Sequence, residues 1–176
     1  MTKPQPETLV LEADETGGFP NSPLPVLIYR QILDTSAENL AARFEALFAR
    51  HRWPPQWRYG LYDFDHFHST AHEALGVFRG LAHVRLGGPD GCKLDIAAGD
   101  ALVLPAGVGH ACLEASDDFT MVGAYPLGQS WEVERGQPGE LESICRRVAA
   151  VALPDEDPVG GALLSLWRQG AETTEQ

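Results

Sequence analysis

Basic residues are scarce in this chain: 13 Lys and Arg stand against 25 Asp and Glu, for a formal net charge of −12. A field of that sign repels phosphate backbones and anionic lipid, so nucleic acid and membrane surfaces are not expected partners. Cysteine is scarce too. Cys92, Cys112 and Cys145 are odd in number and widely spaced, without the short spacing of a zinc knuckle or redox motif. A reducing compartment is the simpler reading. The N-terminus, MTKPQPETLVLEAD, lacks the basic start and apolar run of a signal peptide, and no apolar run approaches the roughly 20 residues that span a bilayer. The expected location is the cytoplasm. There is no repeat of solenoid length and no low-complexity linker. GGPDG lacks the Lys-Ser/Thr of a phosphate loop, and no serine sits in a nucleophile elbow. No helix-turn-helix length precedes the strand-rich region, which argues against a DNA-binding regulator.

What is present is ordinary for one soluble domain: 176 residues, 44% hydrophobic and 22% charged. Residues 1–30 read as an extended N-terminal arm ending in the β-branched run PLPVLIYRQIL. Residues 31–127 open with a helix, for which Thr35 and Glu38 make a capping-box pair and Leu40, Phe44, Leu47 and Phe48 supply the apolar stripe. It stops at RWPPQW, where two prolines forbid continuation. Short segments follow, among them YGLYDFDHFH, ALGVFRG, LAHVRLGG, KLDIA, GDALVLPAG, HACLEAS and FTMVGAYPLG, with PDG as a hairpin turn. Six to eight short strands at close spacing predict an antiparallel barrel or sandwich rather than α/β. Residues 128–176 form a C-terminal helical segment expected to pack on the barrel. It comprises GELESICRRVAAVAL, an acidic loop and the short tail ALLSLWRQ, and the final AETTEQ is expected to fray.

Half of the six histidines fall within HFHSTAHE at 66–73. If the segment up to 68 is a strand, residues 62, 64, 66 and 68 share a face, so Tyr62, Phe64, His66 and His68 point together. Two imidazoles so placed can ligate one ion. STA then turns the chain, and Glu73 enters the next strand facing inward with Leu75 and Val77. In that register His72 faces away, as a structural or supporting group. His110 follows a strand, a proline and a glycine turn, and a strand returning there brings it beside the first pair as a fourth ligand. His51 ends the helix and is expected to cap its carbonyls. His83 is either cavity-lining or exposed. Cys112, two residues after His110, reads first as a small buried hydrophobe and second as a thiol facing the cavity.

Gly60, His66, His68, Glu73 and Gly80 stand as G-x(5)-H-x-H-x(4)-E-x(6)-G, which resembles the first cupin motif in full. Gly99, Pro105, Gly107 and His110 stand as G-x(5)-P-x-G-x(2)-H and resemble the second, with Glu114 where that motif usually ends in Asn. FPNSPLPVLIY, FHSTAHEALGV, GAYPLGQSWE and DPVGG extend the resemblance over nearly the whole chain, to the YjlB-like single-domain bacterial cupins. The resemblance implies a mainly β fold, the cupin double-stranded β-helix or jelly-roll barrel. It also implies one divalent transition metal (Fe, Mn, Ni, Co or Zn) held by His66, His68, Glu73 and His110.

Three neutral nitrogens and one carboxylate leave a divalent ion with formal charge +1 and open positions. The first functional expectation is therefore a metal-dependent enzyme on a small oxygen-rich molecule, most readily an oxidoreductase of the dioxygenase type, with isomerase or decarboxylase chemistry open. Tyr62 is the candidate catalytic residue, as a hydrogen-bond donor to substrate, and Phe64 an apolar wall. The second is a non-catalytic metal-dependent binding or sensing module. Of the cations near the motifs, Arg58, Arg79 and Arg85 are each expected in surface salt bridges. A small-molecule ligand is the expected partner, and a homodimer is expected from the fold because the terminal segments can cover sheet edges.

Overall fold

Along β2 (Ser22–Tyr29), Val26 and Ile28 point one way, Leu27 and Tyr29 the other, and all four are buried. A strand buried on both faces needs a partner layer on each side. The computed structural model, which describes residues 2–174 and side chains through Gln169, supplies both layers. Its strands are β1 (Glu7–Leu11), β2, β3 (Pro55–Tyr59), β4 (Glu73–Arg79), β5 (Leu81–Leu86), β6 (Cys92–Ala97), β7 (Ala101–Leu104), β8 (His110–Ala115) and β9 (Thr120–Ala124). All pairings are antiparallel, giving a six-stranded sheet β1-β2-β7-β4-β9-β3 and a three-stranded sheet β6-β5-β8. The fold is mainly β, two packed antiparallel sheets with helices on the outer face of the larger one.

One core lies between the sheets. Leu75, Val77, Leu102, Leu104 and Met121 of the large sheet meet Ala82, Val84, Leu86 and Ile96 of the small one. The other core lies between the large sheet and the helices α1 (Leu40–Arg50) and α3 (Leu163–Thr174), where Phe44, Phe48, Leu163 and Trp167 cover Ala74, Val103, Val122 and Ala124. Small residues on the sheet admit the large rings. At Gly76 a Cβ would lie 2.5 Å from the Phe44 ring, so the strand must be bare there. Truncating Phe44 would cost about 3–5 kcal/mol, by lost burial plus the cavity left behind.

The start of α1 differs from the expected capping box. Asp34 accepts the Ser36 N–H and hydroxyl, which holds residues 35–39 as turns. The helix begins only at Leu40, behind Asn39 in the left-handed region (φ 56°) and with no side-chain cap, so Thr35 and Glu38 lie outside it. YGLYDFDHFH is likewise not one strand. β3 ends at Tyr59, residues 60–65 are irregular, and only His66 and Phe67 re-enter bridging pairs. At the C-terminus the tail expected to fray from 171 is helical to Thr174, and 175–176 lie outside the described residues.

The terminal segments do more than cover edges. Residues 1–30 carry β1 and β2, and β1 hydrogen-bonds along β2 with Leu9 facing Val26. Phe19 from that segment and Ile144 from α2 (Leu141–Ala149) close on Phe67, forming a third small cluster. Phe67 sits between His66 and His68, so both ends of the chain brace the histidine segment from behind.

Candidate metal centre

The centre is built on one backbone exchange. His66 N–H donates to His110 O at 3.2 Å and His110 N–H to His66 O at 2.9 Å, a directly opposed antiparallel pair. Residues opposed in this way project from the same side, and the two imidazole centroids lie 4.0 Å apart. Gly107 N–H donates to His68 O, carrying the pairing on to the second histidine. On the other edge Phe67 and Glu134 exchange both backbone hydrogen bonds. The Glu134 carboxylate then takes the Ser69 N–H and pairs with Arg147. A three-residue ligand strand is thus paired on both edges.

Glu73 arrives from β4. It opens the strand opposite Leu104, with its side chain on the same inter-sheet face as Leu75 and Val77, while Ala74 faces the helices. His72 falls on the helix side, 4.7 Å from the Trp167 ring. Its Nδ1 accepts the Ala106 N–H and its Nε2 donates to Ala152 O, so both nitrogens are satisfied in the neutral ring. Burial lowers its pKa to about 4. His72 is structural.

The three other buried histidines share a different pattern. His66 Nδ1 bonds to Phe64 O (3.0 Å), His68 Nδ1 to Glu132 O (2.6 Å) and His110 Nδ1 to Val108 O (2.9 Å). A carbonyl accepts only, so each Nδ1 carries a proton; this leaves Nε2 of His66 and His110 as electron-pair donors, while His68 Nε2 meets the Glu73 carboxylate. One ligand nitrogen from each of the three lies within 4.8 Å of the others. The Glu73 carboxylate adjoins this group through two of them, with Oε2 3.1 Å from His68 Nε2 and Oε1 3.2 Å from His110 Nε2. All four side chains are 5% exposed or less.

Two atoms test whether a cation fits. Glu73 Oε1 and His110 Nε2 face each other in the interior without a hydrogen-bond partner. Two lone-pair donors at that separation repel unless positive charge stands near them, and a divalent ion supplies it. The residues fit a metal. The surrounding electrostatics agree. Burial works against ionisation of Glu73, but the charge of His68, its hydrogen bond and the adjoining His110 imidazole hold the carboxyl well below the usual range. His66 is pushed down to about 3, by burial first and by His110 second, which keeps it neutral. Burial also lowers His68, yet the Glu73 charge wins and its pKa is raised. A proton and a metal ion would compete for that nitrogen.

Above this floor a cavity of about 370 Å³ opens to solvent, walled chiefly by Trp57, Leu61, Tyr62, Tyr125, Trp131 and Val133. Tyr125 links wall to floor. Its hydroxyl donates to Glu73 Oε2 at 2.8 Å and accepts from Trp57 Nε1–H at 2.9 Å. Burial, then the Glu73 charge, raises its pKa, so it stays a neutral donor. Trp57 lies flat over Gly123, where a Cβ would meet the indole at 2.1 Å.

Tyr62 borders the cavity beside His66, edge-on at 5.2 Å, and is 43% exposed. Phe64 stacks on the far side of Tyr62 and carries the Arg135 guanidinium on its ring, so it backs the wall rather than forming it. His83 is exposed and pairs with Asp95 across β5–β6, outside the cavity. His51 does not use its ring to cap α1. Its backbone N–H donates to the Phe48 carbonyl, and the imidazole faces Glu156, because the chain turns there. Cys112 is partly buried against the inter-sheet core, away from the cavity lining. Arg58 pairs with Glu45 and Arg85 with Asp65, while Arg79 lies over Phe78.

Comparison with known proteins places the chain. It is 36% identical over 165 residues to the uncharacterized protein YjlB of Bacillus subtilis, covering 92% of this chain and 97% of that one. The chain belongs to the YjlB-like family. No family model matches it. Among solved structures, a DUF861-family protein of Thermotoga maritima overlaps 56% of this chain and 96% of its own, at 21% identity and a TM-score of 0.34. Acireductone dioxygenase of Bacillus anthracis, with cadmium in its active centre, overlaps 61% and 82%, at 14% identity and a TM-score of 0.41. No helix among the described residues is long and apolar enough to cross a membrane.

Proposed function

We propose that this protein is a metal-dependent enzyme, an oxidoreductase of the dioxygenase type acting on a small oxygen-bearing molecule, with His66, His68, Glu73 and His110 as the ligands of one divalent ion. The observation that carries this reading is the orphaned pair Glu73 Oε1 and His110 Nε2, set among three histidines whose Nδ1 atoms are already committed. A bound redox-active ion would supply Lewis acidity and one-electron chemistry toward dioxygen. The chain's own contribution is positioning. The carbonyls of Phe64, Glu132 and Val108 fix the imidazole planes, Tyr125 fixes the carboxylate, and the aromatic walls exclude water from the floor. Tyr62, beside His66 at the mouth, is placed to donate a hydrogen bond to substrate.

The cavity lining favours metal-centred chemistry over isomerase or decarboxylase chemistry. Apart from the four ligands, the polar side chains lining it among the described residues are Tyr59, Tyr62, Tyr125, Trp57, Trp131 and an Arg58 already bound to Glu45, none of them a general base near neutral pH. The same lining suits the second reading, a metal-dependent binding module without turnover. Three free cysteines suit a reducing, cytoplasmic setting, and the exposed edges of β1 and β3 suit a homodimer.

The test is elemental analysis of tag-free protein beside a His66→Ala/His68→Ala variant, followed by oxygen-uptake screens of the loaded protein. About one equivalent of iron, manganese, nickel or cobalt, lost in the variant, is expected. No metal in either protein after reconstitution with each ion would overturn the enzyme reading. Metal without turnover would move the protein to the binding-module reading.

A further inference from the structure

The cavity is sharply divided by polarity. Its floor holds the four buried ligand side chains, and its walls hold mainly aromatic faces, several of whose polar groups are committed to one another. Trp57 Nε1–H is given to Tyr125, the Tyr125 hydroxyl to Glu73, and the Arg58 guanidinium to Glu45 by two hydrogen bonds. Among the described residues no other cationic side chain borders the space, so nothing there holds a phosphate or a distal carboxylate. A polyol would find few partners for its outer hydroxyls, the phenols of Tyr59 and Tyr62 and the Trp131 N–H against a mostly carbon wall, and the rest would lose water without a replacement.

The walls are also flat. Tyr125 and Trp131 stack in parallel, with centroids 4.1 Å apart and planes 9° off, and Tyr125 stands edge-on to His68. Tyr62 and Phe64 form a second near-parallel stack, 4.9 Å apart, and Tyr62 stands edge-on to His66. Two aromatic stacks therefore rise beside two different ligand histidines. A space of about 370 Å³ between such walls is at the small end of ligand pockets. Its chemistry matches a ring that can take offset-stacked or edge contacts, with its oxygen donors at one end.

Resting on the metal reading above, we infer that the ligand is a small planar aromatic molecule carrying an oxygen donor, seated with the oxygen toward the four-ligand floor and the ring between the Tyr62 and Trp131 stacks. Trp131 is then a specificity-determining residue. It contributes a ring face to the wall, whereas Glu132, next to it, holds His68 through its backbone carbonyl.

The experiment uses two probes with the same chelating group, benzohydroxamate and acetohydroxamate, which differ by phenyl against methyl. Each is titrated into full-length protein loaded with Co(II), read by the cobalt visible bands and by calorimetry, and into metal-free protein, read by tryptophan fluorescence. Metal content is measured first in every sample. Benzohydroxamate is expected to bind the loaded protein ~10-fold tighter or more, since each tenfold is about 1.4 kcal/mol of ring contact. Trp131→Leu should bring the two affinities within ~2-fold while acetohydroxamate binding and cobalt content hold, and Trp131→Phe should keep most of the preference. Tyr62→Ala, at an exposed position, gives an independent second reduction. Equal affinity for the two probes, or a preference unmoved by both Trp131→Leu and Tyr62→Ala, overturns the inference. Absence of bound cobalt with the ring preference intact in metal-free protein would overturn the metal reading and leave this one standing.

Discussion

His72 and His110 are equally buried, and both lie within one strand's width of Glu73, yet they sit in opposite chemical situations. On the helix side of the large sheet, His72 has one nitrogen accepting from Ala106 and the other donating to Ala152. Between the sheets, His110 has its Nδ1 committed to Val108 and its Nε2 facing an equally unpartnered carboxylate oxygen. Burial alone therefore does not mark a metal ligand. What marks it is a donor atom left over after the backbone has taken its share, aimed at other leftover donors. The one-residue alternation of β4 separates the two situations, since Glu73 and His72 are neighbours in sequence and face different cores.

The largest effect that could break this contrast is expected at Glu73. In Glu73→Gln the carboxylate charge is gone while the shape is kept. Metal affinity should fall by roughly two orders of magnitude or more, as removal of an anionic ligand from a hard or borderline ion demands. Metal-free protein should lose some stability near neutral pH, because a carboxylate held below its usual range stabilises the fold and His68 loses its buried partner. Isothermal titration with Co(II) and thermal melts in chelator check the two arms. A variant that loses stability without metal and keeps its metal affinity would show that Glu73 is a structural ion-pair partner.

The converse is expected at His72. His72→Leu leaves the Ala106 N–H without a partner in the interior, while Ala152 O keeps the Gln129 side-chain N–H, so the cost is about 1–3 kcal/mol for one unsatisfied group and cobalt stoichiometry stays at the parent value. Urea unfolding of the metal-free protein measures the first, and elemental analysis the second. Loss of metal with unchanged stability would reverse the roles of the two sides. Phe44→Ala belongs to the same side. Its loss of about 3–5 kcal/mol, read by the same unfolding curves, should leave metal content untouched, since the Phe44 ring lies on Gly76 across the sheet from the inter-sheet face.

The contrast also explains which parts of the molecule could be read from the chain. Alternation in EALGV and ALVL gave the two faces of β4 and β7, and with them the inward Glu73 and the outward His72. The shared facing of His66 and His68 came out of an assumed long strand, whereas residues 60–65 are irregular and the facing is set by the exchange with His110. Local competition hid the start of α1, because Asp34 accepts the Ser36 N–H and hydroxyl and holds the following residues as turns, so Thr35 and Glu38 never open the helix. Tyr125 carried a usable signal, since it continues the inward parity of Met121 and Gly123 along β9. Trp57 and the Glu132 carbonyl carried none, because each acts through a partner more than sixty residues away.

The smallest effect is the most diagnostic for how the floor is tuned. Tyr125 donates to Glu73 Oε2, and Trp57 fixes the hydroxyl by donating to it, so Oε1 is the oxygen left toward His110. Tyr125→Phe keeps the ring stacked on Trp131 and removes only the donor. Outer hydrogen bonds of this kind change metal affinity by about 10–100-fold, so the variant should still bind one ion, with a weakened constant at the lower end of that range. Trp57→Phe acts one bond further out and should weaken binding less than Tyr125→Phe does. The double variant should match Tyr125→Phe alone, because Trp57 reaches the carboxylate only through that hydroxyl. Additive losses in cobalt titrations would mean that Trp57 supports the floor by packing on Gly123 and that the hydrogen-bonded chain is not a single unit.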